Sequence, residues 1–232
     1  MHALLTHPAC WLTLTLLAYL VGLSMHKRCQ RSAWSHPLII AVALLLPLLW
    51  LSGISYPQYF DSARPIHLLL APATVALAVP LYANLAHARS MLKPLLIALV
   101  VGGLCGITSA LLIGQLFGLP REALLSLAPK SVTTPIAMAL SGQLGGNVSL
   151  SAAVVIVTGV IGALSASPLM RWLGIRDEAM QGFAIGLSSH GIGMTRAFQI
   201  STRVGAFSGL GMSLNGIFTS LVLPLLMMVW PL

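Results

Sequence analysis

The feature that most constrains this chain is a succession of apolar stretches joined by short polar connections. A helix crosses the hydrocarbon core of a bilayer with about 17–25 apolar residues. The stretches cover residues 9–25, 37–53, 65–86, 94–117, 121–141, 149–170, 179–200 and 205–231. Their length fits helices, and short alternating segments of the kind found in membrane barrels are missing. The sequence therefore predicts an all-α, polytopic membrane protein with about eight transmembrane segments, forming a single integral membrane domain over residues 1–232.

The composition supports this class of protein. Of the 232 residues, 57% are hydrophobic and only 7% are charged, whereas soluble domains carry about 25% charged residues. The net charge of +8 would suggest nucleic acid in a soluble protein, but here the basic residues are scattered among loops, so no nucleic-acid partner is expected. Cys10, Cys29 and Cys105 have no metal-ligand or redox spacing. We expect them to be structural, and we expect neither a metal site nor a cofactor.

The loop charges predict an orientation. If all eight segments cross and the N-terminus lies outside, the inner loops contain basic residues only, namely Lys27, Arg28, Arg31, Arg89, Lys93 and Arg203. In the outer loops each arginine is close in sequence to an acidic residue, and these arginines are Arg64, Arg121, Arg171 and Arg176. This follows the positive-inside rule and predicts both termini outside. A re-entrant hairpin between two outer loops would leave the same bias.

Two cations remain inside apolar segments after this assignment, Lys130 and Arg196. The chain has only four acidic residues, and all of them are assigned to outer loops. A buried cation without a carboxylate needs backbone carbonyls, water or an anionic ligand. We therefore predict that both cations belong to a polar site for a small anion.

The first polar cluster lies in Leu127-Ala-Pro-Lys-Ser-Val-Thr-Thr-Pro-Ile-Ala137. Pro129 and Pro135 each remove a backbone donor and disfavour helix just before them, which predicts two half-helices that meet at an unwound centre. The candidate binding residues between the prolines are Lys130, Ser131, Thr133 and Thr134. One of the threonines would cap the second half-helix, whose positive N-terminus suits a carboxylate or phosphate. The alternative is a Pro-kinked helix whose Lys130 snorkels to the outer headgroups.

The second polar cluster lies in Gly182-Phe-Ala-Ile-Gly-Leu-Ser-Ser-His-Gly-Ile-Gly-Met-Thr-Arg-Ala-Phe198. Its glycines make a continuous helix unfavourable, so free backbone groups near His190 must be satisfied by protein or by a polar cavity. The candidate binding residues are Ser189, His190 and Arg196. Arginine binds carboxylates with a bidentate fork, and histidine changes its protonation near neutral pH. The alternatives are a hydrogen-bonded packing role for His190 and an Arg196 that snorkels toward the cytoplasmic face.

With these motifs in view, the chain resembles the LrgB/CidB family of bacterial membrane proteins. The resemblance rests on Gly53-Ile-Ser-Tyr56, on the block from Leu127 to Ala137, on Ser189-His190 followed by Gly193 and Arg196, and on Gly205-Ala-Phe-Ser208. It covers about residues 35–230. The block between the two prolines is long and unusual, which makes the resemblance specific.

The resemblance implies a location, partners and two possible functions. Family members were first described as antiholin-like proteins linked to cell lysis and murein hydrolase export. A plant relative resembles a plastid glycolate/glycerate translocator, and bacterial relatives are associated with pyruvate uptake. Members act in the bacterial cytoplasmic (inner) membrane with a small LrgA/CidA-like membrane protein. The chain is thus expected to be a transporter or exporter of small monocarboxylates or, alternatively, an antiholin-like regulator of a holin-type partner.

The resemblance also implies a fold with broken helices in two repeated halves. The proline-bearing segments 37–53 and 121–141 suggest such a repeat. The chain departs from the family pattern at Gln199 and Val204, which stand where acidic residues are frequent in the family. Asn215, in the last apolar segment, could bond across helices, and small-residue faces are compatible with a homodimer. No catalytic triad, phosphate-binding loop or zinc spacing points to an enzyme.

Overall fold

The structure, a computed structural model, describes residues 8–29, 35, 37–69, 72, 82 and 85–230. The chain divides into two compact units, Met1–Ala76 and Leu77–Leu232. The first unit contains α1 (Pro8–Arg28), α2 (Pro37–Ser52) and α3 (Tyr56–Leu68). The second contains α4 (Leu85–Ser90), α5 (Leu92–Leu116), α6 (Arg121–Leu127), α7 (Thr134–Leu144), α8 (Val148–Trp172), α9 (Glu178–Ile200) and α10 (Thr202–Val229). All regular elements of the described residues are helical, which confirms the predicted fold class.

Four helices of the described chain are long and apolar enough to cross a membrane, namely α1, α5, α8 and α10. α5 and α8 have 25 residues each, which at 1.5 Å per residue gives a length of about 37 Å. The apolar core of a bilayer is about 30 Å thick, so each of these helices is long enough to span it. On α5, Ile97 and Val101 are 64% and 62% exposed, as expected of a surface in contact with lipid tails. Most of the predicted segment 65–86 lies outside the described residues.

In the first unit, α3 occupies a polar stretch for which the apolar pattern predicts no helix. The signal for it is a capping box, since Gln58 Oε1 accepts hydrogen bonds from the backbone N–H of Ser55 at 3.2 Å and from its hydroxyl at 3.1 Å. Tyr59 then packs edge-on against Trp11 of α1, with ring centroids 5.9 Å apart. Its hydroxyl lies 3.2 Å from that of Thr15. These contacts fix α3 against α1.

The predicted segment 121–141 does not cross the second unit but folds back on itself. At its base the N–H of Asn147 donates to Ser126 Oγ at 2.7 Å, and Asn147 Nδ2 donates to Glu122 Oε1 at 3.2 Å. In a continuous helix, residues 126 and 147 would be about 31 Å apart. Residues 121–144 therefore form a re-entrant hairpin, called hairpin 1, with arms α6 and α7. Residues 128–133 form its tip, tip 1.

The predicted segment 179–200 also folds back. α9 is interrupted at His190, whose φ of 41° and ψ of −136° are not helical. Ile185 and Ala197 contact the same buried cluster, although a straight helix would separate them by about 18 Å. α9 is therefore hairpin 2, with a first arm at residues 178–189 and a second arm at residues 191–200. The break at His190 is its tip, tip 2.

Both arms of hairpin 2 pack on the N-terminal half of α10. The contacts that set this arrangement are Gly182–Val204 and Gly186–Ser208 for the first arm, and Met194–Gly209 and Phe198–Gly205 for the second. Along the first arm, residues of higher number contact residues of higher number on α10. Along the second arm, residues of higher number contact residues of lower number on α10. The first arm is thus parallel to α10 and the second antiparallel. Both ends of hairpin 2 consequently lie at the end of the unit where α10 begins.

The second unit contains two copies of one arrangement, a spanning helix followed by a hairpin. α5 and α8 both end in a Schellman motif at a glycine with φ of 67°, Gly118 and Gly174. The N–H of the next residue bonds a carbonyl five residues back at 3.0 Å in both cases. Glu-Ala follows each glycine at the same distance, and the glycines are 56 residues apart. Segment 37–53 is not broken as segment 121–141 is, because α2 stays helical through Pro47.

The two hairpins enter the unit from opposite ends. One buried cluster joins the starts of α5, α9 and α10, and consists of Leu95, Leu99, Ala179, Phe183 and Phe207. Another joins the later part of α5, hairpin 1 and the end of α10, and consists of Ile107, Leu111, Leu124, Ala128, Leu140 and Leu223. We call these the Lys93 end and the Glu122 end. Hairpin 2 enters from the first, and hairpin 1 enters from the second.

This topology corrects the assignment of charges to loops. Because neither hairpin crosses, Arg171 and Arg176 follow α8 to the Lys93 end, where Arg203 also lies. Their placement in loops opposite Lys93 and Arg203, which eight crossings require, is wrong. The corrected arrangement concentrates basic residues at one end of the unit. By the positive-inside rule the Lys93 end is then expected to face the cytoplasm.

Candidate functional site

The tips of the two hairpins meet against α8. Val132 of tip 1 shares a buried cluster with Val155 of α8. The carbonyl oxygen of the same Val155 lies 2.9 Å from Nε2 of His190 in tip 2. One residue of a spanning helix therefore contacts both broken segments, which enter from opposite ends of the unit.

α10 connects the same two hairpins through Asn215. Its Nδ2 donates to the carbonyl oxygen of Ser131 in tip 1 at 3.3 Å and to that of Leu187 in hairpin 2 at 2.9 Å. This confirms the expected bond across helices. Sequence reasoning gave Asn215 no larger role, although a lone amide in the middle of a 28-residue apolar helix is the signal that could have identified it.

Lys130 of tip 1 is bound to α5. Its Nζ donates to the carbonyl oxygen of Gly106 at 2.8 Å. Gly106 lies ten residues before the end of α5 at Leu116, about 15 Å along the helix, so the ammonium group does not extend to the end of that helix as snorkelling to the headgroups requires. In the described part of the chain no carboxylate pairs with Lys130.

The N-terminus of α7 opens at tip 1. Thr133 occupies its N-cap position with extended backbone, and Pro135 lies in the first turn as predicted, but no side chain makes a capping hydrogen bond there. The predicted cap position is therefore correct for Thr133, but the side-chain hydrogen bond expected of a cap is not made. Because no side chain caps it, the first N–H groups of α7 are left for another acceptor. The hydroxyls of both threonines and of Ser131 are half-buried at this point.

Tip 2 is held closely against α8. Ser189 and His190 are 1% and 3% exposed. A Cβ placed on Gly159 of α8 would lie 2.9 Å from His190 Nε2, and one placed on Gly162 would overlap the side chain of Ser189. A non-glycine residue at positive φ is strained and persists only when its surroundings hold it. The bond to Val155 and these two glycines supply that support.

Arg196 lies on the second arm of hairpin 2, away from the tip. It is six residues beyond His190, about 9 Å along a helix, toward the Lys93 end. Its Nη1 donates to Gln199 Oε1 at 3.0 Å, and its buried Nε has no hydrogen-bond partner among the described residues. The structure thus places Lys130 and Ser131 in tip 1, His190 in tip 2 and Ser189 directly before it, and it places Arg196 on the second arm, away from the tips.

Sequence reasoning missed the groups that α5 and α8 contribute to the centre. The carbonyls of Gly106 and Val155 bind the two basic side chains, and a backbone carbonyl leaves no mark in a sequence. An available signal was the Gly-x-x-Gly spacing, which occurs at residues 103–106 and again 56 residues later at 159–162. Among the described residues, no group of three or more His, Cys, Asp or Glu could hold a metal ion.

Long apolar helices surround two re-entrant hairpins that enter from opposite ends and carry polar side chains at their tips. This arrangement defines a polytopic α-helical membrane protein. The chain belongs to the LrgB-like family, whose model matches residues 15–229. This confirms the predicted family.

Relatives match the chain over almost their whole length. It is 34% identical over 216 residues to YwbG of Bacillus subtilis, a protein named only as uncharacterized, and the match covers 93% of this chain and 96% of YwbG. It is 27% identical over 217 residues to the holin-like protein CidB of Staphylococcus epidermidis, and the match covers 94% of each chain. No solved structure matches the chain significantly.

Proposed function

We propose that this protein is a transporter or exporter of small monocarboxylates, such as glycolate, glycerate or pyruvate. The observation that carries the proposal is Lys130, which has no carboxylate partner in the described part of the chain and donates to a single backbone carbonyl, that of Gly106. A carbonyl dipole offsets only part of an ammonium charge in a low-dielectric setting. A carboxylate ligand would supply the rest.

The helix ends at the centre support an anion as the ligand. The second arms of both hairpins, α7 and residues 191–200, begin at the tips. Helix N-termini carry a partial positive charge and free N–H groups, and the one at α7 lacks a side-chain cap. The hydroxyls of Ser131, Thr133, Thr134 and Ser189 would donate to a carboxylate or to the neighbouring hydroxyl or keto group of such a substrate.

Two further residues have distinct proposed roles. Arg196 carries a charge whose hydrogen-bonded partner, Gln199, is neutral, so it would attract a carboxylate on the way between tip 2 and the Lys93 end. His190 would contribute polarity to the site and hold tip 2 on α8 through Val155. Hairpins that enter from opposite ends suit alternating access, in which one helix group moves against the other around a central site.

The test is uptake of labelled glycolate, glycerate and pyruvate by proteoliposomes that contain this protein together with its proposed LrgA/CidA-like partner. Saturable uptake above that of liposomes with the partner alone is expected, and Lys130→Ala should remove it without reducing the amount of inserted protein. Transport of none of the three acids above background would contradict the proposal.

A second candidate function is that of an antiholin-like regulator of a holin-type partner. It is favoured by the relatives that carry the name holin-like protein CidB. A regulator needs helix faces for its partner but no central cationic site. If regulation is the function, Lys130→Ala and the unmodified protein should alter cell lysis and murein hydrolase release equally, and neither should move monocarboxylates.

A further inference from the structure

The side-chain amide of Asn215 donates hydrogen bonds to backbone carbonyls of both hairpins. The residue is 1% exposed, and its amide nitrogen has two hydrogens, one for each hydrogen bond. Ser131 lies in tip 1, where the backbone is not helical, so its carbonyl has no regular helical partner. The carbonyl of Leu187 would bond the N–H of residue 191 in a continuous helix, but the break at His190 intervenes.

The orientation of the amide is fixed from its other side. Thr219, one turn later on α10, donates its hydroxyl to Asn215 Oδ1 at 3.3 Å. Gly103 of α5 also approaches this oxygen, since a Cβ there would lie 3.4 Å from it. The oxygen therefore faces Thr219 and α5, and the nitrogen faces the hairpins.

We infer that Asn215 is a positioning residue that holds tip 1 and hairpin 2 in one arrangement and so assembles the carboxylate site between them. The part of the inference that concerns substrate rests on the function proposed above. Asn215 would not bind the substrate itself, because both of its donor hydrogens are engaged by the protein. It would set the spacing between the N-terminus of α7 and the second arm of hairpin 2.

The amide is the chemical group that this position requires. Leucine has a similar size but would leave two buried carbonyls without donors, which is costly. Aspartate keeps the shape and the oxygen that faces Thr219, but an ionised carboxylate has no donor for either carbonyl. Even a protonated carboxyl group has a single O–H donor, so Asn215→Asp removes at least one of the two bonds to the hairpins with little change in volume.

The experiment measures the arrangement of the hairpins and transport separately. Spin labels are attached at Met138 on α7 and Thr195 on the second arm, both exposed, after the three native cysteines are replaced by serine. The distance between the labels is measured in lipid nanodiscs. Uptake of labelled glycolate or pyruvate is measured in proteoliposomes with the partner protein. The matched control is Ser220→Ala, since Ser220 donates only within α10, to the carbonyl of Gly216.

Asn215→Asp is expected to broaden the distance distribution and to raise the half-saturation concentration about tenfold or more, with a smaller change in maximal rate. A residue that only stabilised the fold would lower the maximal rate through the amount of folded protein and leave half-saturation unchanged. That result, or an unchanged distance distribution, would overturn the inference. Ser220→Ala is expected to match the unmodified protein in both measurements.

Two further results keep the test decisive. If Asn215→Asp does not insert, Thr219→Val takes its place, because loss of that hydroxyl leaves the amide free to turn. It should raise half-saturation about threefold, and an unchanged value would again overturn the inference. If the unmodified protein transports no monocarboxylate, the proposed function fails, and the label distances alone then decide whether Asn215 joins the hairpins.

Discussion

The ammonium nitrogen of Lys130 lies 2.8 Å from the carbonyl oxygen of Gly106. The second half of the unit repeats this relationship with a different basic group, since His190 Nε2 lies 2.9 Å from the carbonyl oxygen of Val155. In both halves a basic side chain at the hairpin tip binds the backbone of the spanning helix that precedes the hairpin. A helix carbonyl can accept this second hydrogen bond because its oxygen has two lone pairs. Both tips are thus tied to their spanning helices without a carboxylate.

The first prediction concerns the charge of Lys130. Lys130→Ala should abolish saturable monocarboxylate uptake, because it removes the cation nearest the meeting tips. Lys130→Arg keeps the charge, but its planar fork does not reproduce a point contact with one carbonyl. It should retain about a tenth of the uptake or less, which corresponds to a loss of about 1.4 kcal/mol or more. Initial rates in proteoliposomes provide the measurement.

The control for this prediction is Lys93→Ala. Lys93 is exposed near the start of α5, and its removal changes the net charge by the same amount. The Lys93→Ala protein should transport at the rate of the unmodified protein when the two are present in the vesicles in equal amount and with the same orientation. Normal uptake by Lys130→Ala would show that the centre described above is not the transport site.

A second prediction concerns the neutral partner of Arg196. Gln199→Glu places a carboxylate where an amide now accepts from Arg196 Nη1 at 3.0 Å. The new ion pair would compete with an incoming carboxylate for the arginine fork. The half-saturation concentration should rise several-fold, by about fivefold for each 1 kcal/mol of competition. Concentration dependence of uptake is the measurement.

The matched control is Gln143→Glu, which introduces the same charge at an exposed position of α7. Its half-saturation concentration should be unchanged. Equal effects of the two substitutions would mean that added negative charge acts non-specifically, and Arg196 would then lose its proposed role.

A third prediction uses the close approach of α8 to tip 2. A Cβ at Gly159 would lie 2.7 Å from His190 Cε1 and 2.9 Å from its Nε2, shorter than ordinary contacts. Gly159→Ala should displace the ring from Val155, reduce uptake by about tenfold or more and lower the unfolding temperature, because overpacking costs about 1–3 kcal/mol. Gly209→Ala is the control, since a Cβ there would lie 3.6 Å from its nearest neighbour, Met194 Sδ, which is an ordinary van der Waals distance. A Gly159→Ala protein with normal uptake and stability would contradict the contact.

The sequence predicts the helical class, the family and both breaks, because prolines, glycines and polar residues in apolar segments are local signals. Pro129 and Pro135 predict the interruption of segment 121–141, and the glycines around His190 predict that of segment 179–200. Whether a broken segment continues across the membrane or turns back depends on contacts distant in sequence. Asn147, which bonds Glu122, is 25 positions further along the chain. No periodicity within the segment carries that information.

In the candidate site, too, the residue types can be predicted from local sequence signals, whereas their binding partners cannot. Lys130 and Arg196 are conspicuous in the sequence because the chain has so few carboxylates to pair with them. The partners found in the structure are backbone carbonyls for Lys130 and His190 and a neutral amide for Arg196. Every residue type has a carbonyl, so its selection by a lysine depends on three-dimensional packing.

A fourth prediction concerns the base of hairpin 1. Asn147 caps α8 by accepting from Leu150 N–H at 3.0 Å, and its Nδ2 donates to Glu122. Asn147→Ala removes both interactions and should lower the free energy of unfolding by about 1–3 kcal/mol. Asn147→Ser keeps a capping oxygen and should lose less. Thermal unfolding in detergent is the measurement, with Ser149→Ala, an exposed residue of the first turn of α8, as the control. Equal stability of all three variants would contradict these roles.

The fifth prediction tests the direction of both hairpins. Single cysteines replace Arg121, Ser149, Arg176 and Thr202, all exposed, in a protein whose native cysteines are serine. Because hairpin 1 returns to the Glu122 end, positions 121 and 149 should react with an impermeant maleimide from one side of sealed vesicles. Because hairpin 2 returns to the Lys93 end, positions 176 and 202 should react from the other. All four should react in permeabilised vesicles, which controls for buried thiols. A segment that crosses would instead separate the two positions that flank it, so opposite labelling within either pair would refute that hairpin.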